Sequence, residues 1–204
     1  PSVPLIADMD STMITAETLD ELADFAGLKD RIAAITARAM NNEIDFKDAL
    51  RERVAMLRGL PVDALERTWE RVRLTPGGSE AVATMRAHGA YAALVSGGFT
   101  FFTGRVAPLL GFDMHKSNLL LDDGAKLTGF VAEPILDRDA KLDTLRALAA
   151  QRGLDLSETL AVGDGANDLA MLGAAGLGVA FHAKPAVAAQ ARISRRRTPP
   201  PGTP

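Results

Sequence analysis

The residues able to do chemistry fall in two acidic groups far apart along the chain: Asp8-Met9-Asp10-Ser11-Thr12 near the start and Gly163-Asp164-Gly165-Ala166-Asn167-Asp168 towards the end. Carboxylates gathered at one place repel each other unless a cation neutralises them, and oxygen-only donors with few histidines and no cysteine favour Mg²⁺. Between the two groups stand Ser96-Gly97-Gly98, offering a hydroxyl and backbone amides, and Lys141, offering an ammonium. This set suits a phosphoryl group. The cation and Lys141 would neutralise its oxygens, while Ser96 and the amides of Gly97 and Gly98 would donate hydrogen bonds. A carboxylate can attack phosphorus to give an aspartyl phosphate, splitting the transfer into two steps. A second acid two residues later can protonate the departing alkoxide and then activate water.

Positioning these groups requires strands that end at one edge. Val3 to Ala7 reads as a buried strand delivering Asp8 and Asp10, and Thr159 to Val162 as another delivering Asp164, because short aliphatic runs bounded by turn residues suit parallel strands covered on both faces. Ligands of open α/β sheets bind at such carboxyl ends. From about Ala16 to Arg73 apolar residues recur at helical spacing, with one stripe closed by Gly27 and another, Phe46 to Leu57, closed by Gly59; this reads as a small helical module. From Pro76 the pattern alternates: a helix near Ser79 to Ala87, a strand Tyr91 to Val95, a turn Ser96 to Gly98, and a helix to Leu110. Asn118 to Val131 reads as a β-hairpin about the turn Asp122-Asp123-Gly124. A helix Arg138 to Arg152, the Asp164 strand, a helix Asn167 to Leu172 and a last apolar run Leu177 to Phe181 follow.

Composition narrows the classes. With 204 residues and 47% hydrophobic content the chain can hold one domain with an insertion and a real core. Zero cysteines exclude disulfides, zinc thiolate sites and thiol nucleophiles. No apolar run approaches the ~20 residues of a membrane span, so the expectation is no membrane partner and a cytoplasmic location by default. A net charge of −3 argues against a broad nucleic-acid surface. Of the 23 Lys and Arg, four lie after residue 191, leaving 19 against 26 acids before it. Prolines fill the end of that basic stretch, so 191–204 is expected to be a disordered or non-native tail. The histidines His88, His115 and His182 show no ligand spacing.

In this order and spacing, Asp8-Met-Asp10-Ser-Thr, Val95-Ser96-Gly97-Gly98, Lys141 and Gly163-Asp-Gly-Ala-Asn-Asp168 resemble the four motifs of the haloacid dehalogenase (HAD) superfamily. Glu17 in Thr-Ala-Glu-Thr-Leu-Asp and the segment Asp45 to Val54 resemble the branch of it that hydrolyses O-phosphoserine. The resemblance covers roughly Leu5 to Gln190. It implies an α/β fold, a HAD-like Rossmannoid parallel sheet with a small inserted helical cap and a β-hairpin. The catalytic core would comprise 1–15 and 74–190, and the cap 16–73. It implies Asp8 as nucleophile and Asp10 as general acid and base. Mg²⁺ would be held by the side chains of Asp8 and Asp164 and the backbone carbonyl of Asp10, with Asp168 supporting the metal site. Ser96, Gly97, Lys141 and Asn167 would bind phosphate. Glu17 would face the substrate ammonium and Arg53 its carboxylate, with Arg51 the obvious decoy, while Met40 and Phe46 shape the cap. The expected substrate is a small phosphate ester, O-phosphoserine, in the last step of serine biosynthesis.

Met9 departs from a frequent aromatic between the two acids, a change expected to spare the chemistry because that side chain points into the core. Many members carry an amino-terminal regulatory domain where this chain starts at Pro1, and continue after the equivalent of His182 to Val187 into an acidic strand and a closing helix. Here arginine and proline follow, as in a replaced terminus. Two other readings stay open at this level. One is phosphoryl transfer to an alcohol such as homoserine, or action on another small ester. The other is a receiver-like phospho-accepting switch, which would need neither Asp10 nor a lid. Oligomeric state is not legible.

Overall fold

The computed structural model describes residues 2–40, 43–183, 185–190 and 193–195. The chain enters through β1 (Pro4–Ala7), turns tightly through Met9–Met13, and runs through four helices, α1 (Thr18–Phe25), α2 (Lys29–Met40), α3 (Phe46–Ala55) and α4 (Asp63–Arg71). It then alternates α5 (Gly78–Ala87), β2 (Tyr91–Phe99), α6 (Thr100–Leu110) and β3 (Met114–Asn118), and forms the antiparallel pair β4 (Leu120–Asp122) and β5 (Leu127–Val131). It ends with α7 (Arg138–Gln151), β6 (Leu160–Gly163), α8 (Leu169–Ala174), β7 (Leu177–Phe181), α9 (Pro185–Ala188) and β8 (Ile193–Arg195). Six strands form one parallel sheet in the order β3-β2-β1-β6-β7-β8. This is the expected α/β architecture.

Strands buried on both sides explain the continuous apolar runs. Leu5 and Ala7 of β1 and Ala92 and Leu94 of β2 face one core, with α5, α6 and the four inserted helices. Ile6, Ala93, Val95 and Ala161 face a second core with α7 and α8. The period of two within each strand divides its side chains between them. Ile6 and Leu94 are fully enclosed, and burial of each such side chain stabilises the fold by roughly 1.5–3 kcal/mol.

Several contacts tie the inserted helices to the rest of the fold. Their entry and exit run side by side, bridged between Ile14 and Leu74, with Thr15 N donating to Arg73 O and Thr75 N to Met13 O. The link between α3 and α4 pairs with the hairpin: Gly59 N donates to Leu127 O and Leu127 N to Leu60 O. On α3, Lys47 meets Asp137 at 3.1 Å and Arg51 meets Glu133 at 2.7 Å, so this helix docks on the stretch that leads into α7.

Three local features differ from the sequence expectation. Ser96 to Gly98 is not a free turn: β2 continues through it to Phe99, with a register shift against β3 between Val95 and Phe99. β3 was not anticipated, because Met-His-Lys-Ser-Asn lacks apolar alternation. An edge strand tolerates polar side chains, and they discourage further pairing. The third is Ile193–Arg195, in the stretch expected to be a disordered tail, which pairs in parallel with β7 as the other edge. An edge strand needs hydrogen bonds on one side only. The rest of that stretch, 191–192 and 196–204, lies outside the described residues.

On β7, Gly178 allows the strand to lie against the end of α8. A Cβ there would overlap the carbonyl group of Leu172, which is backbone and cannot rotate away. Gly178→Ala is therefore expected to destabilise the protein by about 1–3 kcal/mol, read as a lower urea midpoint at unchanged slope; an unchanged midpoint would contradict this packing.

Candidate active site

Asp8 follows the last residue of β1, its amide donating to Val162 O of β6, so the neighbouring strand fixes where its side chain begins. Asp8 is 5% exposed. Its Oδ1 accepts from Met9 N at 2.8 Å and meets Lys141 Nζ at 2.9 Å. Lys141 comes from the first turns of α7, is 1% exposed, and also donates to Asp168 Oδ1 at 2.6 Å. Asp168 Oδ2 accepts from Asp164 N and Gly165 N at 3.1 and 3.0 Å, which closes the loop after β6 around it. A Cβ on Gly163 would strike the Asp168 side chain, so only glycine fits there.

Asp10 faces Ser96. Its Oδ1 accepts from Thr18 N at 2.8 Å and its Oδ2 from the Ser96 hydroxyl at 3.3 Å. The Thr18 hydroxyl is buried beside the same carboxyl group without meeting hydrogen-bond geometry. Ser96 Oγ in turn accepts from Gly98 N at 2.9 Å. A Cβ on Gly98 would stand 2.7 Å from Asp10 Oδ2, so the backbone approaches the acid as only glycine allows. Ser11, at φ 55, turns the chain and donates its hydroxyl to Glu17 Oε1 at 2.6 Å.

The inserted helices supply the remaining groups. Arg53 on α3 donates Nε to Ala49 O at 3.2 Å and is half-buried. Burial lowers its guanidinium, while the charges of Asp20 and Glu17 oppose that shift. Asp20 belongs to this charge group and was not singled out from sequence; its position one turn after Glu17 on α1 was the available signal. The Phe46 ring reaches to 3.5 Å from where a Cβ on Gly97 would stand, placing it over the Ser96 loop. Arg51, the decoy, is held in exposed pairs with Asp48 and Glu133. Asn167 is exposed in the turn after β6, its amide folded over Gly165. Met40 ends α2, and its side chain lies outside the described residues. Thr12, part of the first motif but given no role from sequence, donates to Asp164 Oδ1 at 3.1 Å. Met9 is fully buried in the core, as its reading required.

Electrostatics define what this cluster lacks. Burial pushes Asp8 well above the usual carboxylate range; the Lys141 ammonium opposes this and the charges of Asp168 and Asp10 add to it. Burial also raises Asp10, against the Thr18 hydrogen bond. Asp164 is lifted to about 6 by burial, then by Asp168 and Glu17. Burial alone would lower the Lys141 ammonium, but Asp8 and Asp168 outweigh it and keep Lys141 charged. One ammonium thus serves several crowded acids. Carboxylate oxygens of Asp8, Asp164 and Asp168 lie within 4.8 Å of one another, so the donor set fits a hard metal ion. Asp168 is already engaged by Lys141 and two amides, which leaves Asp8 and Asp164 better placed to ligate directly.

Glu17 lies near Asp10 with its side chain still reached by solvent. Desolvation by the surrounding protein, followed by the Asp10 charge, raises it to about 7 against the Ser11 hydrogen bond. A carboxyl group raised on folding costs stability as pH climbs past its unfolded value towards its folded one. Glu17→Gln should therefore gain stability relative to the unaltered chain between about pH 5 and pH 8. Thermal melts of chelator-treated protein check this, and a constant difference across that window would contradict it.

Comparison with known proteins agrees with this arrangement. The family model for haloacid dehalogenase-like hydrolases matches residues 5–173. A phosphoserine phosphatase of Archaeoglobus fulgidus is 45% identical over 180 residues, 88% of this chain and 52% of that protein. One from Haemophilus influenzae is 44% identical over 93% of this chain and 60% of its own length, so the chain spans little more than half of these two relatives. One from Lactococcus lactis is 45% identical over 91% of this chain and 86% of its own. A solved phospho-aspartyl intermediate analogue of phosphoserine phosphatase superposes with TM-score 0.88 at 37% identity, covering 96% of this chain and 94% of that one. The matched segment contains both acidic groups, Ser96 and Lys141, and the chain belongs to the haloacid dehalogenase-like hydrolase family.

Proposed function

We propose that the chain is a Mg²⁺-dependent phosphomonoesterase that hydrolyses O-phosphoserine to serine and phosphate through an aspartyl phosphate on Asp8, serving serine biosynthesis. The observation that carries this is the position of Asp8: a buried carboxylate at a strand end, 2.9 Å from Lys141 and grouped with Asp164, with Asp10 two residues on. Relatives named phosphoserine phosphatase and a solved substrate-bound phosphoserine phosphatase at TM-score 0.88 and 36% identity support the substrate. In this reading 1–15 and 74–190 form the catalytic core and 16–73 the cap. None of the described helices is long and apolar enough to cross a membrane, and the enzyme would act on its small ester in the cytoplasm.

In the first step an Asp8 oxygen bonds to phosphorus as the bond to the serine oxygen breaks, and Asp10 gives its proton to that departing oxygen. Burial holds Asp10 raised, which suits it to carry the proton. In the second step Asp10 takes a proton from water, whose oxygen attacks the same phosphorus and releases Asp8 and inorganic phosphate. Lys141 balances the negative charge on Asp8 and on the phosphoryl oxygens. Ser96, Gly97 and Asn167 orient the phosphoryl group from the opposite side. Magnesium, when held by Asp8, Asp164 and the Asp10 carbonyl with Asp168 in support, would withdraw charge from the phosphoryl oxygens. Met40 and Phe46 would close over the ester and exclude water until serine leaves.

Selectivity would come from the cap. Glu17 sits near enough for its charge to act on the Arg53 guanidinium, so a zwitterionic substrate could lie between them, its ammonium on Glu17 and its carboxylate on Arg53. Arg53→Ala should lower kcat/KM for O-phosphoserine by about 10- to 100-fold while leaving phosphoethanolamine, which has no carboxylate, nearly unchanged. An equal loss on both esters would contradict the assignment. Phosphate release should stop in Asp8→Asn and on chelation, and return in the chelated sample with added magnesium. Normal release from Asp8→Asn would remove the covalent route.

A further inference from the structure

Asn118 is 2% exposed at the end of edge strand β3 and reaches two segments of the candidate site. Its Nδ2 donates to Gly97 O at 2.9 Å and to Leu136 O at 3.1 Å, and its Oδ1 accepts from Leu136 N at 2.7 Å. The first contact has a cause in the sheet. Between Val95 and Phe99 the pairing of β2 with β3 shifts register. In that irregular stretch the Asn118 amide supplies the Gly97 carbonyl with a partner.

A trans peptide is planar and points its C=O and N–H in opposite directions. Holding Gly97 O on Asn118 therefore aims the Gly98 amide the other way, where it donates to Ser96 Oγ, whose hydroxyl donates to Asp10 Oδ2. The second contact fixes Leu136, next to Asp137, which caps α7 by accepting from Asp139 N and Ala140 N and pairs with Lys47 on α3. Lys141 follows directly after Ala140, four residues on from Asp137. One buried carboxamide thus sets the distance between the Ser96 loop and the helix carrying Lys141.

We propose that Asn118 is a positioning residue for the reaction, orienting the Gly97–Gly98 peptide and the start of α7 so that Ser96 and Lys141 address one phosphoryl group. This rests on the phosphomonoesterase reading above. Its chemistry is specific: both donors of one amide face carbonyl oxygens, so Asn118→Asp keeps the shape and sets a carboxylate oxygen against both.

The test compares Asn118→Asp and Asn118→Ser with Thr103→Val. Thr103 bonds His115 and Ser117 between α6 and β3 without reaching the Ser96 loop, so its loss reports only on stability. All three should melt lower. Only the Asn118 variants should lose kcat/KM on O-phosphoserine, by about 10- to 100-fold, with weaker binding of inorganic phosphate in magnesium by titration calorimetry. Asn118→Ser, which carries no buried charge, gives the same readings if Asn118→Asp does not fold. Kinetics and phosphate binding that match those of Thr103→Val would overturn the proposal. Absence of phosphate release by the unaltered protein would count against the phosphoserine reading instead. Asn118 would then be judged by phosphate binding alone, where no difference from the unaltered protein overturns it.

Discussion

The structure turns on the repulsion among buried carboxylates at one sheet edge and on Lys141, the ammonium set against it. Asp8 and Asp168 both meet Lys141 within 3 Å, each almost out of contact with water. Removing one partner of such a buried set costs about 3–5 kcal/mol, because it leaves an uncompensated charge. A folded chain tolerates that hazard only when the elements delivering the charges are rigid. Here two of them follow adjacent parallel strands and the third starts a helix whose cap, Asp137, is itself paired. The residual negative charge makes the cluster receptive to a metal ion, and the same crowding disfavours a second negative group until that ion is present.

Around this cluster the parts share loads. Glycine appears where the backbone must touch an acid: Gly98 beside Asp10 and Gly163 beside Asp168. Thr12 and Thr18 each serve one acid, Thr12 donating its hydroxyl to Asp164 and Thr18 its amide to Asp10. The inserted helices are joined to the rest of the fold by contacts that include the Ile14 and Leu74 bridge, the hairpin, and two ion pairs from α3. The pairs are substantially exposed, so each is worth little by itself. The apolar packing of α3 and α4 keeps the segment in place.

Much of the site was legible from sequence because its residues lie at strand ends and tight turns, where local geometry leaves few options. The two acidic groups, Ser96 and Lys141 converge as expected, and Asp8 and Asp164 share one edge. What was not legible depends on partners distant in sequence. β3 hides behind polar residues, since an edge strand needs no apolar alternation. Asn118 looks like the start of a hairpin until the bulge in β2 brings Gly97 O towards it. Asp20 has no motif of its own and gains meaning only when α3 brings Arg53 close. The edge strand Ile193–Arg195 ran against the compositional bias of the stretch it lies in.

In the proposed function Asp8 becomes covalently phosphorylated, with Lys141 and the acids around it making that possible. Mass spectrometry of protein mixed with O-phosphoserine and magnesium and quenched in acid measures this directly. A phosphoryl group is expected on the peptide containing Asp8, removed by hydroxylamine as an acyl phosphate is. Phosphate release at full rate with that peptide never labelled, or with the label on another residue, would contradict it.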